Sequence, residues 1–106
     1  MTTNIALVQR GIVFLMAEWS GQAKWAYKQL KDFWELHNGT PEHLICVDID
    51  REQNVVCALP ELAGKIHGYG EAAVVRDGKI VFVTTLGKDK SQIQNRCEEL
   101  LKFYRA

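Results

Sequence analysis

The run Gly11-Ile12-Val13-Phe14-Leu15-Met16-Ala17 carries no polar side chain, and it constrains the fold more than any other stretch. It is too short for a helical core and rich in strand formers. It therefore predicts a strand covered on both faces, as in a parallel sheet. A helix signal follows at once. Ser20 supplies an N-cap hydroxyl. From Gln22 the period turns helical, with Ala23, Ala26, Leu30, Phe33 and His37 on one stripe and Tyr27 and Trp34 at its edge. Asn38-Gly39-Thr40-Pro41 ends that helix with a left-handed-capable pair and a proline stop.

His43 to Ile49 repeats the buried-strand pattern. Asn54 to Ile66 reads as helical but contains Pro60, so either a short turn precedes a helix starting at Pro60 or the helix kinks there. Pro-Glu-Leu suits a first turn, which favours the former. Gly64, Gly68 and Gly70 loosen the exit. Strands over Ala72–Val75 and Lys79–Thr84 flank Arg76-Asp77-Gly78, and Asp-Gly between apolar runs is a strong hairpin signal. Asp89 with Gln92 resembles a capping box opening a last helix, whose stripe is Ile93, Cys97, Leu100, Leu101 and Tyr104. The order β-α-β-α-β-β-α, with right-handed crossovers, makes the first two strands parallel and adds an antiparallel hairpin. The expectation is a three-layer α/β/α sandwich on a mixed four-stranded sheet, one domain spanning 1–106 with its core over 11–104.

At 47% hydrophobic and 25% charged residues the composition excludes disorder. Lys plus Arg equals Asp plus Glu at 13 each, so nothing points to nucleic acid or an anionic membrane. Lys24, Lys28 and Lys31 read as a solvated helix face. Three cysteines (Cys46, Cys57, Cys97) cannot all pair within one chain, and none lies in Cys-x-x-Cys, which favours free thiols in a reducing compartment. The first ten residues lack a basic start, a long apolar stretch and a cleavage site, and no run approaches the roughly 20 apolar residues of a membrane span. A soluble, cytoplasmic chain is expected.

A nucleophilic Ser20 would need an adjacent base, but His37, His43 and His67 fall at a helix end, a strand start and a loop. Capping is the better role for it. No two histidines or cysteines stand at ligand spacing, and Cys46 and Cys97 fall on core faces, so neither metal nor cofactor is expected. Cys57 is the thiol expected to be most exposed, near an expected helix start of the kind that lowers a thiol's pKa, although an ordinary half-buried small hydrophobe is the default reading. Gly64-x₃-Gly68-x-Gly70 lacks the order and the lysine of a phosphate loop. The aromatic residues are the better lead. Trp19 precedes the first helix, Trp25 lies about 200° round it from Ala23, and with Tyr69 they outline a face for a protein or peptide. The alternative for Trp25 is a ring lying flat beside Lys28 or Gln29. Phe103, off the last helix's stripe, is a candidate contact for a homodimer. An anion site at the helix N-terminus above Ser20 is a third option.

Ala17-Glu18-Trp19, Gly21, Lys24, Asp50 and the Arg76-Asp77-Gly78 hairpin, in this element order, resemble thioredoxin over residues 11 to 104. The family's first strand and helix are missing or reduced to the N-terminal ten residues. The resemblance implies a thioredoxin-like fold and matches the family's two redox cysteines to Ser20 and Ala23, and the proline between them to Gln22. The family's cis-proline matches Gly70 when counted back from Asp77-Gly78, or Ala72 when anchored on the preceding helix. The buried aspartate beneath the cysteines and its lysine partner match Phe14 and Cys46.

Those substitutions remove the chemistry. A dithiol enzyme needs a thiolate stabilised at a helix N-terminus and a second cysteine to resolve the mixed disulfide. Serine does neither job, and alanine has no nucleophile. Losing one member of a buried ion pair strands a charge, whereas losing both can be neutral or stabilising. Here both are gone. The expectation is a redox-inactive thioredoxin-like domain that binds a protein or peptide as a chaperone or assembly module. Its surface would be the former active site: Trp19, Ser20, Gly21, Gln22, Ala23, Trp25, Tyr69, Gly70 and Glu71. The alternative is an atypical thiol oxidoreductase or thiol sensor using Cys57 or Cys97.

Overall fold

Local signals set the element boundaries. In the computed structural model, which describes residues 5–53, 62 and 64–106, the apolar run becomes strand β1 (Arg10–Met16). Helix α1 (Gly21–Leu36) follows, then β2 (Leu44–Asp48), β3 (Glu71–Arg76), β4 (Lys79–Thr85) and helix α2 (Ile93–Arg105). The helix expected between Asn54 and Ile66 falls largely outside the described residues, as does Cys57. Leu62 is buried, and Gly64 and Lys65 form a turn.

The sheet is mixed, in the order β2-β1-β3-β4. β1 runs parallel to β2 and antiparallel to β3, and β3 and β4 form the hairpin. Asp77 (φ 52°) and Gly78 (φ 76°) both occupy the left-handed region that a two-residue hairpin turn requires. Their amides also donate to the N-terminal segment, Asp77 N to Gln9 O (2.7 Å) and Gly78 N to Val8 O (2.8 Å).

β1 is buried on both faces because the sheet divides the core. On one side Ile12, Phe14 and Met16 pack with Ala23, Ala26, Leu30, Phe33 and Trp34 of α1 and with Cys97, Leu100 and Leu101 of α2. On the other, Val13 and Leu15 join Val47, Ala73, Val75, Ile5 and Leu62. Both described helices thus cover the same face.

Four expectations need correction. Trp34, placed at the stripe's edge, is a fully buried core residue, its Nε1 donating to Thr40 O at 2.9 Å. Gly39 makes room for it: a Cβ there would overlap the indole. The capping box at Asp89 does not close. Asp89 Oδ1 accepts from Ser91 N and Oγ, while Gln92 Oε1 accepts from Asn95 Nδ2, and a 3-10 turn at Lys90–Gln92 precedes α2. Phe103, placed off the stripe, packs against the core and stacks on Phe82 (centroids 4.3 Å, 13° between planes). Cys46 is exposed rather than core-facing, because β2 is an edge strand among the described residues.

Candidate functional site

The chain leaving β1 enters α1 through Ser20, whose backbone is extended (φ −105°, ψ 117°). Its Oγ accepts from Ala23 N at 3.2 Å, and the side chain is buried. That hydroxyl satisfies one of the otherwise unpaired N–H groups of the helix's first turn. Among the described residues no histidine bonds to it. The His37 and His43 rings are engaged with Phe33 O and the Tyr104 hydroxyl, and the His67 backbone N–H donates to Glu71. Ser20 is a cap, and among the described residues no hydrogen-bonded base activates it.

Three glycines bring separate segments up to this turn. Gly70 (φ 87°) abuts α1: a Cβ there would lie 2.9 Å from Ala26 Cβ, 3.0 Å from Phe14 Cζ and 3.3 Å from Ala23 Cα. Of the two candidates for the cis-proline position, Gly70 is the one beside the helix start, whereas Ala72 pairs with Phe14 inside the sheet. Gly68 (φ 77°) lies under Trp19, and a Cβ there would overlap the indole. Gly87 escaped the sequence reading. A Cβ on it would overlap Tyr69 O and approach Gln22 O to 2.8 Å, so three backbones meet where only glycine fits. The available signal was a glycine just past a strand end, which marks close backbone approach.

Glu71 is fully buried, and its Oε1 accepts from His67 N (3.1 Å) and Gly68 N (3.3 Å). Among the described residues Oε2 has no hydrogen-bond partner. Glu71 therefore braces the loop beneath Trp19 from inside and presents no surface of its own. Ser20, Ala23 and Gly70 are likewise buried and form a floor. Above it Trp19 (68% exposed), Gly21 and Gln22 are open to solvent, with Tyr69 partly so. Trp25 is half-buried against the core and lies beneath Lys90, whose Nζ is 5.0 Å from the ring centroid. Its neighbour is thus a lysine from the turn ahead of α2, in a cation–π arrangement.

The described thiols are poor nucleophiles. Burial, with Glu98 adding to it, pushes Cys97 up to about 11. Partial desolvation does most to raise Cys46 to about 11, followed by the carboxylates of Glu18, Asp48 and Glu52. At neutral pH both remain protonated, and the thiolate is the reactive form. Phe14 and Cys46 stand opposite each other in the β1–β2 register, so the place matched to a buried ion pair holds a ring and a thiol. Among the described residues no cluster of His, Cys, Asp and Glu suits a metal, and no helix is long and apolar enough to cross a membrane.

A central β1, a parallel β1-α1-β2 unit, an antiparallel hairpin and a closing helix define a protein of the thioredoxin fold. Solved structures agree. Thioredoxin from Plasmodium falciparum superposes with a TM-score of 0.65 at 22% identity, covering 90% of this chain and 85% of that one. Mitochondrial thioredoxin 3 from Saccharomyces cerevisiae gives 0.63 at 14% identity (91% and 83% covered). Fasciola hepatica thioredoxin gives 0.62 at 13% identity (86% and 80% covered). No protein-family model matches the sequence, and no curated protein matches it. At these identities the likeness establishes the fold.

Proposed function

We propose that this chain is a redox-inactive thioredoxin-fold domain that binds a protein or peptide segment through the surface at the start of α1. Trp19 carries the reading. Its indole is exposed yet seated on Gly68, whose loop is tied down by a buried carboxylate. A large aromatic held in place offers contact area at little conformational cost, and such residues dominate binding energy at interfaces. Gly21, Gln22 and Tyr69 extend the surface. A chaperone or assembly role in the cytoplasm fits such a module.

Thiol exchange has no support at this turn, where Ser20 is a cap and Ala23 is a methyl group. Sensing through Cys97 would require a buried, strongly protonated thiol to react. An anion above Ser20 would have to compete with the hydroxyl that already holds the Ala23 amide.

Quantitative affinity capture, comparing the native chain with Trp19→Ala, tests the reading. Specific partners should be lost with the indole while the circular dichroism spectrum is unchanged. Equal recovery by both proteins would contradict it, as would insulin reduction that persists after Cys46, Cys57 and Cys97 are all replaced.

A further inference from the structure

We infer that the free edge of β4 takes on an additional strand from an extended, acidic peptide segment of another protein. The surface differs from the Trp19 face in its residues: His67 lines it, and none of Trp19, Gly21, Gln22 and Tyr69 does.

An open groove of about 690 Å³ touches Val83, Thr84 and Thr85. Successive side chains of a strand point to opposite faces. A groove reaching three in a row therefore lies against the strand's edge, where backbone groups face outward. Among the described residues β4 pairs only with β3, so this edge has no ladder partner. Exposed edges are commonly blunted with charge or proline. The only charged residue of β4 is Lys79, at the opposite end, and β4 has no proline.

Charge selects the occupant. Lys65, His67, Lys88 and Arg96 all line the groove. The one carboxylate among the lining residues, Asp89, is engaged by Ser91 N and Oγ. Arg96 shares its charge with Glu99 at 3.1 Å, while Lys65 and Lys88 have no ion-pair partner among the described residues. In a chain balanced at 13 and 13, this is a local cationic excess beside an unpaired edge. A strand laid along β4 would turn consecutive side chains to opposite faces of the sheet. Acidic residues along that strand would meet the Lys65 and Lys88 charges that line the groove. Main-chain pairing supplies affinity in this recognition mode, and the flanking charges supply register and selectivity.

The test uses the native chain and a short fluorescent peptide of Val-Glu-Glu repeats, followed by anisotropy. Binding should weaken with added salt, and Lys65→Glu and Lys88→Glu should each reduce affinity by about tenfold. The same peptide with alternate amides N-methylated keeps its charge but cannot complete a ladder, and it should not bind. Trp19→Ala should bind the peptide like the native chain, which separates this site from the first. Absence of binding would overturn the inference. So would equal binding of the N-methylated peptide or of a Val-Lys-Lys counterpart, or displacement by an equal concentration of inorganic phosphate.

Discussion

Arg10 and Arg76 face each other across the β1–β3 ladder, and both reach the end of α2, Arg10 Nε donating to Tyr104 O (2.8 Å) and Arg76 to Phe103 O. Like charges directly opposed in a sheet repel. Here the unpaired carbonyls and negative dipole end of the helix offset that repulsion. Arg10 also lies over the Tyr104 ring, 4.5 Å from its centroid.

Removing either guanidinium should therefore loosen the last turn of α2. Arg76→Ala is expected to cost about 1.5–3 kcal/mol in urea unfolding, the range for a hydrogen bond that involves a charged group. Arg10→Lys should recover less than full stability, since an ammonium does not reproduce the planar stack and the directed Nε bond together.

Ser20→Ala removes a cap and should lower stability by about 1 kcal/mol. Ser20→Cys combined with Ala23→Cys puts thiols on the N-cap and first turn of α1, where the helix terminus favours a thiolate. That double variant should form an internal disulfide and reduce insulin above the native background. A double variant with no activity would show that more than sulfur has been lost from the site.

Gly68→Ala would force a side chain into a left-handed backbone and into the Trp19 ring. The strain should cost about 1–3 kcal/mol, and the displaced indole should show altered tryptophan fluorescence. Gly64→Ala, also at positive φ but with nothing within 4 Å of the added Cβ, should leave that fluorescence alone.

The alkaline limb of stability follows from Cys97. Its folded value of about 11 lies above the ordinary 9.0, so the folded protein holds this proton more tightly than the unfolded chain does. The contribution is complete below pH 9.0 and disappears as pH rises through about 11, a loss on the order of 2 kcal/mol. Tyr27, raised by desolvation and then by Cys46, acts in the same sense. Urea melts of Cys97→Ala across this window should show a shallower decline than the native chain.

What could be read from the sequence rested on neighbours close along the chain. The apolar run, the Ser20 cap and the Asp77-Gly78 turn are short-range rules, and each lands within a residue of its observed place. Cys46 was misjudged because its exposure depends on β2 being an edge, which only the strand order reveals. Glu71 looked like surface because a carboxylate usually is, yet two amides of the preceding loop make its burial tolerable. Gly87 gave little sign of its role, since the backbones it accommodates come from Gln22 and Tyr69, far away in sequence.

Placing β1 at the centre of the sheet has a consequence for synthesis. Its partner β2 emerges from the ribosome soon after it, but its other neighbour, β3, begins only at Glu71. Until then the hydrophobic strand has one flank without a mate. A nascent chain arrested before β3 should therefore expose that flank of β1, and the exposure should end once the hairpin has left the exit tunnel.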